Sequence, residues 1–231
     1  MSTAPRPRST PAPRRAGRKA TADTATRVPR AARLRKQESI LLEAERQFAR
    51  LGFEGVTLDS IAAALGISRQ NMLYYFASKD ELYRAVLDGV LASWLEGMDV
   101  LAKAADPEAA ISGYIRAKLR YSQERPSGSA VFTREVMAGA PRYAQALAHS
   151  VLPRLRSDVR AFEKWARQGL IERVNFTHLM FVIWSATQAY ADLAPQFALL
   201  VGKPRLGERD FAAAHALITD LVMARLRKAS C

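Results

Sequence analysis

From residue 35 onward the apolar residues recur at three- and four-residue steps, the period of a helix with one buried face. Ile40, Leu41, Ala44, Phe48 and Leu51 mark a first helix, and Gly52 stops it. Thr57 is placed to cap a second, short helix whose apolar face is Leu58, Ile61, Ala62 and Leu65, ended by Gly66. Ser68 caps a third. Ser78 and Glu81 form a capping box that opens a fourth helix, predicted to reach Lys103. Beyond it, Pro107 starts a helix to Glu124, the run 125–129 breaks it, and a shorter helix is expected over Val131–Gly139. A long helix from Tyr143 to Gln168, kinked at Pro153, and two more over Thr177–Leu193 and Asp210–Arg227 complete the pattern. No alternating apolar pattern bounded by hairpin turns interrupts it, so the expected class is all-α.

The 231 residues, 49% of them apolar, are enough for a sizeable core. Charge changes the picture at one end. Residues 1–36 carry eleven of the 35 Lys and Arg and a single acid, Asp23, so ten of the thirteen net positive charges lie there. Five of the eleven prolines lie there too, and such a segment reads as a disordered basic tail suited to a polyanion, most simply nucleic acid. An organelle transit peptide has a related composition; a secretory signal does not, since no apolar core segment is present. The expected organisation is a tail at 1–34, a DNA-binding domain at 35–82 and a helical ligand-binding and dimerisation domain at 83–231. The uncharged run Leu179–Ala191 is too short to span a bilayer and reads as a buried helix, so no membrane association is expected.

Little in the chain points to chemistry on a substrate. The lone cysteine, Cys231, suits a reducing compartment, and a cytoplasmic, nucleoid-associated location is expected. His149, His178 and His215 lie far apart without metal-ligand spacing, and no nucleophile, base and orienting group cluster. No metal, cofactor or catalytic residue is expected.

The second and third helices, joined by Gly66 and Ile67, have the spacing of a helix-turn-helix, whose second helix lies in the major groove and presents its first turn to base edges. That turn holds Arg69, Gln70 and Asn71, whose donor and acceptor forks match guanine or adenine. Surface helices also carry these residues merely for solubility, and the stretch alone leaves both readings open.

The wider segment "TLDSIAAALGISRQNMLYYFASKDELYRAVL" resembles the DNA-binding domain of TetR-family transcription regulators over about residues 35–90. Carried over residue by residue, the resemblance implies a Ser68 cap, phosphate contacts from Thr57, Tyr75 and Lys79, and base or groove contacts from Arg69, Gln70, Asn71 and Tyr74. Met72 and Phe76 fall on the inward side. Two positions depart from the commoner pattern, Leu73 where many members have Tyr and Tyr75 where many have His.

That variant is shared with a pyrimidine-utilisation regulator of the family, and the likeness continues through "LASWL", "VMAGAP" and "HLMFVIWSATQAYADLAPQ". It implies a homodimer on a double-stranded DNA operator, released by a small uracil-like effector, with a pocket containing Trp94, Trp184 and Gln188. Indoles stack on flat heterocycles, and a carboxamide offers both donor and acceptor. Ser112 aligns with a basic pocket residue of that relative, which removes a charged donor. The last two helices are expected to pair across the twofold axis, and the fourth to link DNA and ligand sites. Two alternatives stay open: a nucleoid-type DNA-binding protein without an effector, and a regulator of this type with an unrelated apolar effector.

Overall fold

The computed structural model describes residues 22–227, and among them ten helices and no strand. They are α1 (Ala22–Leu51), α2 (Leu58–Ala64), α3 (Arg69–Tyr75), α4 (Lys79–Lys103), α5 (Pro107–Glu124), α6 (Pro126–Met137), α7 (Ala144–Arg167), α8 (Phe176–Asp192), α9 (Ala194–Leu200) and α10 (Glu208–Leu226).

Three boundaries differ from the sequence pattern. α1 begins at Ala22, not Arg35. The rest of the expected tail, residues 1–21, lies outside the described residues. α6 begins at Pro126, inside the run expected to break the chain, because a proline at the first helical position forfeits no intrahelical bond. Gly128 is there for packing: a Cβ would lie 2.5 Å from the Tyr121 hydroxyl and 3.1 Å from a Val90 methyl. α9 was not expected at all; Pro195 occupies its first turn.

Two apolar clusters hold the fold between residues 39 and 227. The first gathers Ile40, Phe48, Ile61, Met72, Phe76, Leu82 and Leu87, and runs on through Val90 and Leu91 to Val131, Phe132 and Tyr143. The second is built on α5 (Ile111, Tyr114, Ile115) against Phe162, Trp165, Met180, Ile183, Ile218 and Val222. α4 belongs to both, through Leu82–Leu91 at one end and Leu101 at the other.

Between α6 and α7 the chain turns through Gly139 and Ala140, both at positive φ. Ala140 (φ 52°) occupies a region that disfavours a Cβ by about 1–2 kcal/mol. Its N–H bonds to the Glu135 carbonyl at 2.7 Å, and its side chain is buried, so the surrounding packing holds the corner.

Candidate functional site

The helix-turn-helix is fixed by its caps. Ser60 N–H donates to the Thr57 hydroxyl at 3.0 Å and Thr57 N–H to the Ser60 hydroxyl at 3.3 Å. The Ser60 hydroxyl also donates to Gln47 Oε1 at 2.7 Å, tying α2 to α1. Asn71 N–H donates to the Ser68 hydroxyl, and Glu81 N–H to the Ser78 hydroxyl, each at 3.1 Å. The Glu81 carboxylate reaches back to Ala77 N–H at 2.8 Å, one residue before the expected partner. Every helix of the motif thus begins with a satisfied donor, and α3 is pinned underneath by fully buried Met72 and by Phe76.

Arg69, Gln70, Asn71 and Tyr74 are exposed on the outer face of α3. Arg69 pairs with Asp59 of α2 at 2.5 Å, an exposed contact of small energetic value that leaves other guanidinium donors unengaged by it. The Tyr74 and Tyr75 rings meet edge to face at 5.2 Å, and Tyr75 is half-buried. Thr57 and Ser68 face outward beside them.

Lys79 is placed differently from a simple surface cation. Its ammonium donates to the Phe53 carbonyl at 3.0 Å and sits 4.2 Å from the Phe53 ring centroid. Arg142, just past the α6–α7 corner, holds its guanidinium 3.6 Å from the same ring and reaches Asp80 at 3.3 Å and Glu54 at 3.4 Å. Its own N–H donates to buried Glu135 of α6 at 2.7 Å. Next to it the Tyr143 hydroxyl donates to Asp88 of α4 at 2.7 Å. Nothing in the sequence marked Arg142, since its partners lie some sixty to ninety positions upstream.

Behind this corner lies a cavity of about 540 Å³ walled by α4, α5, α6, α7 and α8. Trp94, Trp184 and Gln188 all line it. The Trp184 indole N–H donates to the Tyr114 hydroxyl at 2.5 Å, which fixes the ring. Trp94 packs on Phe132 with centroids 4.4 Å apart.

Ser112 does not line the cavity. Its hydroxyl meets His215 Nε2 of α10 at 3.1 Å. The basic residue in the wall is Lys118, six positions further along α5 and about 240° round the helix from Ser112. Lys118 Nζ lies 4.1 Å from the Trp94 ring centroid. Burial brings its pKa down to about 8, opposed by the negative Asp192. Burial likewise pushes the Asp192 carboxyl above the usual range, against hydrogen bonds from Thr133 and Gln188 and the charge of Lys118. Thr133 donates to Asp192 at 2.8 Å and Gln188 Nε2 to Asp192 at 3.2 Å. A polar cluster of one cation, one carboxylate, an amide and a hydroxyl therefore occupies part of an otherwise apolar wall. Lys118, Thr133 and Asp192 escaped the sequence reading because a single polar residue on an amphipathic helix looks like surface.

An N-terminal helix-turn-helix joined to a helical domain with a cavity among its helices is the plan of a bacterial one-component regulator. Residues 40–86 match the family described as bacterial regulatory proteins, tetR family, and residues 87–229 match the YcdC-like C-terminal region. The chain belongs to the TetR family of transcriptional regulators, with a YcdC-like C-terminal domain.

Among curated relatives it is 38% identical to the HTH-type transcriptional regulator RutR of Escherichia coli (strain K12) over 167 residues, 72% of this chain and 79% of RutR. Solved structures share the fold at lower identity. A tetR-family regulatory protein from Rhodococcus RHA1 matches with a TM-score of 0.68 at 17% identity, over 84% of this chain and 98% of that one. AibR, solved in complex with isovaleryl coenzyme A and operator DNA, matches with a TM-score of 0.66 at 16% identity, over 80% and 96%. No helix among the described residues is long and apolar enough to cross a membrane.

Proposed function

We propose that this regulator is a homodimeric repressor that binds operator DNA through α3 and releases it when a pyrimidine or related nitrogen heterocycle enters the cavity. One observation carries the reading: the helices that wall the cavity are the ones that hold the DNA-binding domain. Thr133, Val136 and Met137 of α6 face the cavity, while Glu135 of the same helix accepts from Arg142 N–H, and Arg142 in turn grips Phe53, Asp80 and Glu54. α4 adds a second link, from Lys79 beside α3 to Trp94 in the wall.

The chemistry of the polar cluster supports the ligand class. An imide edge presents carbonyl, N–H and carbonyl in a row; Lys118 supplies donors, and Asp192 and the Gln188 carbonyl oxygen supply acceptors. Trp94 and Trp184 supply flat faces for the ring. On α3, the exposed Arg69, Gln70, Asn71 and Tyr74 contact the major groove, and Thr57, Tyr75 and Lys79 contact phosphates, with Ser68 holding the helix start. The Lys79 ammonium has three donors and spends one on Phe53, so phosphate contact is compatible with its position.

Dimerisation follows from unpartnered apolar surface. Leu217 and Leu221, one turn apart on α10, are 59% and 63% exposed, and Val182 of α8 is 59% exposed. Pairing these faces across a twofold axis brings two α3 helices to the half-sites of a near-palindromic operator. Such a regulator acts in the cytoplasm on the nucleoid and needs no catalysis.

A 100-fold loss of operator affinity requires the ligand to prefer the released form by about 2.7 kcal/mol, a modest demand on one cavity. Footprinting on DNA upstream of the protein's own coding sequence, with and without uracil and thymine, tests the reading. Protection that disappears with ligand, together with a raised Tm, is expected. Protection and Tm both indifferent to every pyrimidine would overturn the ligand class, and would favour a DNA-binding protein without such an effector.

A further inference from the structure

The cavity is larger and more one-sided than a bare nitrogen heterocycle requires. At about 30 Å³ per water, 540 Å³ is room for roughly eighteen water-sized groups, whereas a pyrimidine base such as uracil or thymine has at most about half that many non-hydrogen atoms. The wall supplied by α8 runs from Phe181 to Asp192, about 16 Å at the rise of a helix. Apart from Ser185, its polar side chains stand towards one end: Gln188 and Asp192 share Thr133 as a partner, and Asp192 attracts Lys118. The facing wall on α7, from Leu147 to Leu155, is apolar at every lining position over about 12 Å. Leu155 packs with the cluster that contains Trp184, whereas Leu147 and Val151 pack with the one that contains Trp94, so this apolar wall extends along the cavity.

We infer that the effector is a two-part molecule, an uncharged carbonyl and N–H head held by Lys118 and Asp192 and an aliphatic or aromatic extension lying along α7. The inference rests on the cavity being the effector site. The head is uncharged because the cluster contains one group of each sign. An anionic head satisfies Lys118 and is opposed by Asp192, whose oxygens already accept from Thr133 and Gln188. A cationic head meets the reverse problem. A carbonyl next to an N–H answers both and leaves the pair intact. The extension is apolar because a polar one along α7 would lose water and gain no partner.

The test is titration calorimetry on the full chain with uracil and a series of 6-alkyluracils of growing chain length, with hexanoate and hexylamine as charged-head probes. Affinity is expected to rise by about fourfold for each methylene placed against α7. Leu155→Gln is expected to remove the gain from the longer chains, and Asp192→Asn to weaken every member of the series. Uracil binding that gains nothing from the chain leaves the cavity as the effector site and overturns the two-part ligand. Hexanoate or hexylamine binding as tightly as the matching alkyluracil overturns the uncharged head. If no member of the set binds, the cavity reading fails and this inference with it.

Discussion

The helix-turn-helix surface and the cavity are built on opposite principles. The first is local: caps, turn and exposed polar residues lie within Thr57–Glu81, each helix start is satisfied by a neighbour three residues away, and the polar side chains point outward. The cavity is assembled from residues between Leu91 and Asp192, is mainly apolar, and hides a cation and a carboxylate in its wall. A surface so thoroughly capped behaves as a rigid body, to be moved and not remodelled. A wall holding desolvated charge has free energy to change when a ligand arrives. On the proposed function, that difference puts the switch in the cavity and the Arg142 corner, with α3 as the part that is carried.

If that division is right, mutations on the two sides differ in kind. The largest effect is expected from Met72→Ala, which opens a hole under α3 and costs about 2–5 kcal/mol. Chemical denaturation would show the loss, and operator binding would fall with it; a change under 1 kcal/mol would mean that α3 is not held by its core. Arg69→Ala is expected to cost about 1–3 kcal/mol of operator affinity and to relax preference at one base pair, measured against a set of singly substituted operators. A uniform loss at every sequence would make Arg69 a phosphate contact instead.

Arg142→Ala addresses the link between the regions. It should leave ligand affinity unchanged by calorimetry and reduce ligand-induced release by about 0.5–2 kcal/mol, the usual scale for a coupling residue. Unaltered release would remove the corner from the mechanism.

Lys118→Met sharpens the comparison from the other side, because a residue proposed to bind ligand is here a cost to stability. Its folded pKa of about 8 lies below the ordinary 10.5, so between those values the native state holds fewer protons than the unfolded chain. Stability therefore rises with pH through that window, and the full penalty applies below pH 8. Lys118→Met should raise Tm at pH 7 by a few degrees and flatten that rise, as followed by thermal melts from pH 7 to 10.5.

How much was readable without coordinates follows the same division. Thr57, Ser68 and Ser78 announce their helices by type and spacing, and Met72 and Phe76 by periodicity, because local rules govern them. Trp94, Trp184 and Gln188 could be placed in the cavity only through a family resemblance. Lys118 could not, since its meaning depends on Trp94 and Asp192, 24 and 74 positions away in the chain. Ser112 and Lys118 share one helix and face different partners, a distinction that requires knowing where α8 and α10 lie. Pro126 lies in a run that reads as a break, yet it sits in a first helical turn where its missing N–H costs nothing.

The central claim is that a ligand at Lys118 and Asp192 releases the DNA held by α3. It is tested most directly by fluorescence anisotropy of labelled operator titrated with wild type and with Lys118→Met, each with and without saturating 6-alkyluracil. The expected result is equal affinity of the two proteins for DNA alone, a 100-fold loss with ligand for wild type, and no loss for the variant. Equal loss in both proteins, or none in wild type, would contradict the account.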